Sequence, residues 1–273
     1  MKPALSFRQP TFPTSWRSLP SGEVILDEIN SQLAPWWPKF FGYHLLKIGA
    51  LSGEITSDNC SIKNQVTLID KKSSEEKVLD NKYIDKSAQT KSDKQTIYAE
   101  IDDLPILEHS VDVCLLSHAF EFSVDPHHVI REANRVLIPN GYLVLTGYNP
   151  FSLAGLNKLM PYRRHQVPWK ERFFSTMRIK DWLQLMGFEI LMEKSCLHTT
   201  LENNIGRGGF YLRWRKFAET YLASLGSIYV IVAKKRVLPL TPIKPKWELR
   251  SKLTSINVSS MNTPQQSHNQ KKK

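Results

Sequence analysis

Polar and glycine residues recur just past each apolar run of this chain. KIGALSG presents Gly49 and Gly53 after the first run, and Asp70 follows the second. Asp102-Asp103-Leu104-Pro105 follows the third, His118 to Glu121 the fourth, and Tyr148-Asn149-Pro150 the fifth. In an open parallel sheet the ligand crevice lies outside the carboxyl ends of the strands, where strand order reverses. Two glycines let a ligand come close to the backbone, and a carboxylate at the end of a second strand can hold the two hydroxyls of a ribose. Together these residues describe a site for a nucleoside-containing cofactor.

Such a site needs strands and helices in alternation, and the sequence supplies them. The first twenty residues, with Pro3, Pro10, Pro13 and Pro20, read as an extended leader over the body surface. A capped amphipathic helix is expected from Ser21 through SGEVILDEINSQL, ending before Pro35, with Leu26, Ile29 and Leu33 on one face. Trp36, Trp37, Phe40 and Phe41 around Pro38 read as aromatic packing against a sheet. Strands are expected in YHLLKIG, VTLID, TIYAEI, SVDVCLLSHAF, GYLVLTGYN, FEILMEKSCL and SIYVIVAKK. Asp125 and Pro126 open a helix that runs to a Pro139-Asn140-Gly141 turn and then a strand, which makes a βαβ unit. MRIKDWLQLMGFEI reads as a helix stopped by Gly187. The predicted class is α/β, a mostly parallel sheet covered on both faces with an antiparallel edge strand.

Composition bounds the rest. The chain has 273 residues, 41% hydrophobic and 23% charged, which suffices for one full core. The expected layout is a leader at 1–20, a single domain at 21–237 and a disordered basic tail at 238–273, with a polar, mobile segment at 71–94 and a pocket-covering insertion at 149–175. No apolar run reaches the roughly 18 to 20 residues of a membrane-spanning helix, and the start lacks the apolar stretch of a secretory signal. No membrane partner is expected, and a cytoplasmic location is. Cys60, Cys114 and Cys196 lie far apart, which suggests neither a disulfide framework nor a metal site. The formal charge of +11 is unevenly placed: ten of the 37 Lys and Arg residues fall from Lys234 onward, where Glu248 is the one acid. That end reads as a solvated tail, with an RNA contact as the other reading.

The segment LPILEHSVDVCLLSHAFEFSVDPHHVIREANRVLIPNGYLVLTGYNP resembles the class I S-adenosylmethionine-dependent methyltransferases, specifically the type 11 methyltransferase domain. It has that family's Asp before Leu-Pro, its Ser-Val-Asp strand entry, its Asp-Pro helix start, its Arg-Glu and Arg-Val-Leu helix, and its Pro-x-Gly turn. The likeness is close from Asp102 to Pro150 and looser from Tyr43 to Lys235, and NPFSLAGL resembles a narrower bacterial branch. The resemblance implies a Rossmann-like, doubly wound sheet of seven strands, S-adenosyl-L-methionine as cofactor, and methyl transfer to an acceptor, most simply a small molecule. It implies cofactor contacts from Gly49, Gly53, Asp70, Asp102, Asp103, Leu104 and His118. The family carries an acid two residues before the first glycine and another glycine two after it, where this chain has Lys47 and Leu51. A lost carboxylate and added bulk predict weakened cofactor binding, and the alternative function is a non-catalytic, RNA-associated binding module.

If a methyl group is transferred, the protein must align an acceptor with the departing sulfur and exclude water. His118 is the candidate catalytic proton acceptor, against the alternative of a hydrogen-bonded structural histidine. Glu121, Tyr148 and Asn149 are placed toward the acceptor, although Asn149-Pro150-Phe151 also reads as a structural turn. Arg163 and Trp169, with Tyr162, Arg164 and His165, lie in the insertion over the same mouth, where they would hold an anionic or planar acceptor or form a solvated basic loop. His127 and His128 are expected to face solvent.

Overall fold

A computed structural model describes residues 13–71, 95–158, 160, 166–201 and 225–237. The chain divides into two units, Met1–Val237 and Leu238–Lys273. The second unit, the segment 72–94 and the expected basic loop at Tyr162, Arg163, Arg164 and His165 lie outside the described residues.

Seven strands form one sheet: β1 (His44–Ile48), β2 (Asn64–Asp70), β3 (Gln95–Ala99), β4 (Val111–Ser117), β5 (Leu137–Tyr148), β6 (Phe188–Cys196) and β7 (Ile228–Lys235). Their order is β3-β2-β1-β4-β5-β7-β6. Strands β1 to β5 pair in parallel. Strand β7 runs antiparallel to β5 and to β6, so the antiparallel pairing expected at the edge is present, with β6 outermost. Strand order reverses between β1 and β4, and their carboxyl ends open the crevice where a ligand is expected.

Alternation along the central strands divides the interior in two. Leu46, Ile48, Cys114, Leu116, Leu143, Leu145, Tyr229 and Ile231 belong to one apolar cluster. Leu45, Val113, Leu115, Val144, Tyr148, Ile228 and Val230 belong to the other. Strands buried on both faces carry apolar residues at consecutive positions, which is why β4 and β7 read as continuous apolar runs. Helices α3 (Pro126–Val136) and α5 (Thr176–Leu185) cover the first cluster. Helix α1 (Gly22–Leu33) covers the second. Two five-residue helices, α2 (Ala50–Glu54) and α4 (Leu153–Asn157), follow β1 and β5.

Helix α3 shows the local logic most plainly. The Asp125 carboxylate accepts from the backbone N–H groups of His127 and His128, Pro126 takes the first helical position, and Val129, Ile130, Ala133 and Val136 turn inward. At the other end the Lys235 ammonium donates to the carbonyls of Asn134 and Leu137, a cation placed at a helix C-terminus. The structure thus assigns Lys234 and Lys235, counted above among the tail cations, to β7.

Several local expectations change. The described part of the leader, from Pro13, is not a surface strap: Trp16 opens a 3₁₀ turn and is fully buried. Ser21 precedes α1 in a left-handed conformation, φ 54°, rather than the extended one of a capping serine, and its side chain makes no cap hydrogen bond. Of the aromatic cluster, Trp37 and Phe40 are buried while Phe41 is exposed. Pro139-Asn140-Gly141 does not separate helix from strand. Leu137 already pairs with Val111, Tyr142 pairs with Val113, and the residues between bulge out of a continuous β5, with Asn140 at φ 65°.

Candidate active site

The turn from β1 into α2 is built around Gly49, whose φ of 91° favours glycine. A Cβ at Gly49 would enter open space, so the backbone lies bare toward the crevice. Gly53 differs. A Cβ there would meet the Thr67 methyl at 2.9 Å, so this glycine serves close packing of α2 on β2. The Ser52 hydroxyl donates to the Ile48 carbonyl and accepts from the Ser117 N–H at 2.8 Å, tying the ends of β1 and β4 together.

Lys47 and Leu51 both turn into the interior. The Lys47 side chain is fully buried, and its ammonium donates to the Ile55 carbonyl and the Ser57 hydroxyl, each at 2.8 Å. It is a tie between β1 and the chain leaving α2. Leu51 is buried among Trp16, Ile25 and Ile55, and its carbonyl accepts from the Trp16 indole N–H at 2.9 Å. Its bulk goes into the core.

Beyond β4 the chain turns sharply, with His118 at φ 52°, a conformation rare for non-glycine residues and recurrent at functional sites. The turn buries the imidazole completely, edge-on to Trp16 at 5.3 Å and against the Tyr148 ring at 4.2 Å. Its Nδ1 lies 3.7 Å from Glu121 Oε1, and that carboxylate oxygen accepts from the Tyr148 N–H at 2.7 Å. Gly147 leaves room for the group, since a Cβ there would collide with the Tyr229 ring and the Glu121 carboxylate. Burial, and then the Glu121 charge, hold both the Tyr148 and the Tyr229 phenols above their ordinary pKa. The structure therefore brings His118, Glu121, Tyr148 and Tyr229 together. Tyr229 was missed from sequence because it lies inside an apolar strand run, where a tyrosine reads as core.

The acids stand elsewhere on the same edge. Asp70 ends β2 and is buried, paired in register with Ala99, so Glu100 follows on the neighbouring strand end. Glu100 is exposed at that edge and has no motif of its own in the sequence, where the Asp-Asp pair beyond it carries the signal. Asp102 is half-buried and Asp103 exposed. Leu104 points into the core, and its backbone is clamped by α3: Glu132 accepts its N–H at 3.1 Å and Arg135 donates to its carbonyl at 2.9 Å.

The remaining expected residues are structural in their visible contacts. Asn149 Oδ1 accepts from the Phe151 N–H, which is the turn reading of that tripeptide. Trp169 is buried, with its indole N–H on the Ala154 carbonyl at 3.0 Å. Arg163 is outside the described residues. His127 lies over the Trp182 ring at 4.1 Å rather than facing solvent, because Trp182 on α5 packs across the start of α3.

A family model described as a methyltransferase domain matches residues 46–145, the span from β1 through most of β5. Among curated relatives, the Escherichia coli (strain K12) chain called "Uncharacterized protein YafS" is 38% identical over 252 residues, 92% of this chain and 92% of its own. The chain belongs to the class I S-adenosylmethionine-dependent methyltransferases. A more distant relative of this methyltransferase is a demethylmenaquinone methyltransferase of Chlamydia pneumoniae, 27% identical and matched over 64% of this chain and 74% of its own. Among solved structures, an S-adenosylmethionine dependent methyltransferase from Mesorhizobium loti aligns with a TM-score of 0.52 at 16% identity, over 77% of this chain and 99% of its own. That likeness concerns the fold. Family and fold imply S-adenosylmethionine binding, and no described helix of the methyltransferase is long and apolar enough to cross a membrane.

Proposed function

We propose that the chain transfers the methyl group of S-adenosylmethionine to a small-molecule acceptor at the carboxyl edge of β4 and β5. The observation that carries this reading is the bare Gly49 backbone, held at φ 91° with open space beside it, next to a buried cluster of proton-handling side chains. The residues fit a nucleoside cofactor on that side. Gly49 allows close approach, Asp70 is the acid suited to the ribose hydroxyls, and Glu100, Asp102 and Asp103 supply acceptors farther along the edge, toward the adenine.

When bound, the cofactor supplies an electrophilic methyl carbon on its sulfonium. The work left to the chain is to orient an acceptor, exclude water and take up a proton. Trp16, Tyr148 and Phe173 enclose the centre, with Phe173 stacked on Tyr148 at 5.0 Å. His118 is the group that accepts the proton, and Glu121 at 3.7 Å stabilises the imidazolium so formed. The non-catalytic alternative rested on Lys47 and Leu51: the Leu51 bulk lies in the core and does not crowd the cofactor, while the carboxylate absent at position 47 is not replaced by the buried Lys47. The described residues contribute nothing to the RNA reading, whose basic tail is the unit Leu238–Lys273.

Calorimetric titration with S-adenosylhomocysteine tests the reading. Saturable micromolar binding is expected, and Gly49→Val should weaken it by a factor of about 100 or more, because a branched side chain would fill the approach and resist the positive φ. Undiminished binding by Gly49→Val would move the cofactor elsewhere.

A further inference from the structure

Four side chains in the described centre leave five polar atoms with no hydrogen-bond partner among the described residues: Nδ1 and Nε2 of His118, Oε2 of Glu121, and the hydroxyls of Tyr148 and Tyr229. All four residues are at most 1% exposed. Protein interiors pair nearly every buried polar atom, so a knot of orphans at one point marks a place completed by something else.

The knot has a chemical sign. Glu121 is its one carboxylate; Oε1 is taken by the Tyr148 N–H, and Oε2 is left able to accept. Both phenols are held neutral, so they add hydroxyl groups to the knot and no further negative charge. Of the described lysines, Lys47 donates to Ile55 and Ser57, and Lys158, over the Phe173 ring at 5.0 Å, donates to the Glu171 carbonyl. The free Glu121 oxygen would repel an anionic guest, whereas an N–H donor would find a carboxylate oxygen, a phenol oxygen and an imidazole nitrogen to accept from it.

We propose that His118, Glu121, Tyr148 and Tyr229 form the acceptor subsite, and that it takes a primary or secondary amine, with Tyr229 and Glu121 positioning the nitrogen. This rests on the methyl-transfer reading above. The amine lone pair forms the new N–C bond to the methyl carbon of the sulfonium donor as the C–S bond breaks and leaves its electron pair on sulfur. The amine binds as its ammonium and first gives one proton to His118, which frees that lone pair, and the methylated product leaves as an ammonium.

Ligand-observed NMR on the full chain with propylamine, 1-propanol and propionate, which match in size and differ in charge, separates the alternatives. Each is titrated with and without S-adenosylhomocysteine. Propylamine should bind about tenfold or more tightly than the other two, the weight of one charge-assisted hydrogen bond. Glu121→Gln and Tyr229→Phe should each weaken it about fivefold or more while leaving S-adenosylhomocysteine affinity within about twofold. Tyr229→Phe removes a buried hydroxyl that has no hydrogen-bond partner among the described residues and should leave the melting temperature unchanged or higher, which separates lost amine binding from misfolding. Equal binding of 1-propanol or propionate, no binding of any of the three, or amine binding unchanged in both variants would overturn the proposal. Amine preference without S-adenosylhomocysteine binding would instead count against methyl transfer and leave the amine site standing.

Discussion

The Lys47 ammonium sits between the Ile55 carbonyl and the Ser57 hydroxyl, and Ser57 in turn donates to the Gln65 side chain. This relay depends on a donor at position 47. Lys47→Glu restores the residue type that the family motif carries, yet it puts a carboxylate against a carbonyl in a fully buried place. The expected result is a loss of about 2–4 kcal/mol in urea unfolding, with no gain in cofactor affinity. A gain in S-adenosylhomocysteine affinity in a well-folded Lys47→Glu protein would mean that the side chain reaches the cofactor after all. Side-chain roles were legible in the sequence only where position along a strand decides them. His118 and Glu121 stand past the end of β4 and Tyr148 closes β5, and all three were found. The burial of Lys47, the packing of Gly53 on Thr67 and the aim of Tyr229 into the site depend on partners that no local pattern names.

At the scale of elements, α3 fixes the loop that carries Asp102 and Asp103. Arg135 donates to the carbonyls of Leu104 and Ile106 and pairs with Glu132 at 2.8 Å, while Glu132 accepts from the Leu104 N–H. The hydrogen bond from Arg135 is the main cause that holds the Glu132 carboxyl below its ordinary pKa, with the Leu104 N–H adding to it against a smaller effect of burial. A carboxyl with a depressed folded-state pKa binds its proton more readily in the unfolded chain. Its contribution is therefore complete above the unfolded value, about 4.3, and is lost as pH falls through the lower folded value. Glu132→Gln should be less stable than the parent by about 1–2 kcal/mol at pH 7, and the gap should close as pH falls below about 4. Denaturant midpoints measured across pH 3 to 7 check this, and a gap that widens on acidification would contradict it. The seven strands and the main helices were legible because alternation, caps and turn residues repeat the same message locally. The β5 bulge was not, since it arises from pairing of Leu137 with β4 directly after the helix.

For the molecule as a whole, the described start of the chain belongs to the core. Trp16 joins α1, the Gly49 turn and His118, donating to Leu51 and packing edge-on to the imidazole. Trp16→Ala should cost about 3–5 kcal/mol and weaken S-adenosylhomocysteine binding together with stability, read by urea unfolding and calorimetry. A variant that lost stability alone would show that the site does not depend on this anchor. The place of β7 has a further consequence, for synthesis. Of the described strands, β7 is the last made, and it lies between β5 and β6. At about 5–20 residues per second, the stretch from Cys196 to Lys235 takes roughly 2 to 8 s to emerge. Throughout that interval β5 presents an open edge and β6 has no neighbour on the sheet, so the nascent chain passes through an aggregation-prone stage that a ribosome-associated chaperone is suited to shield.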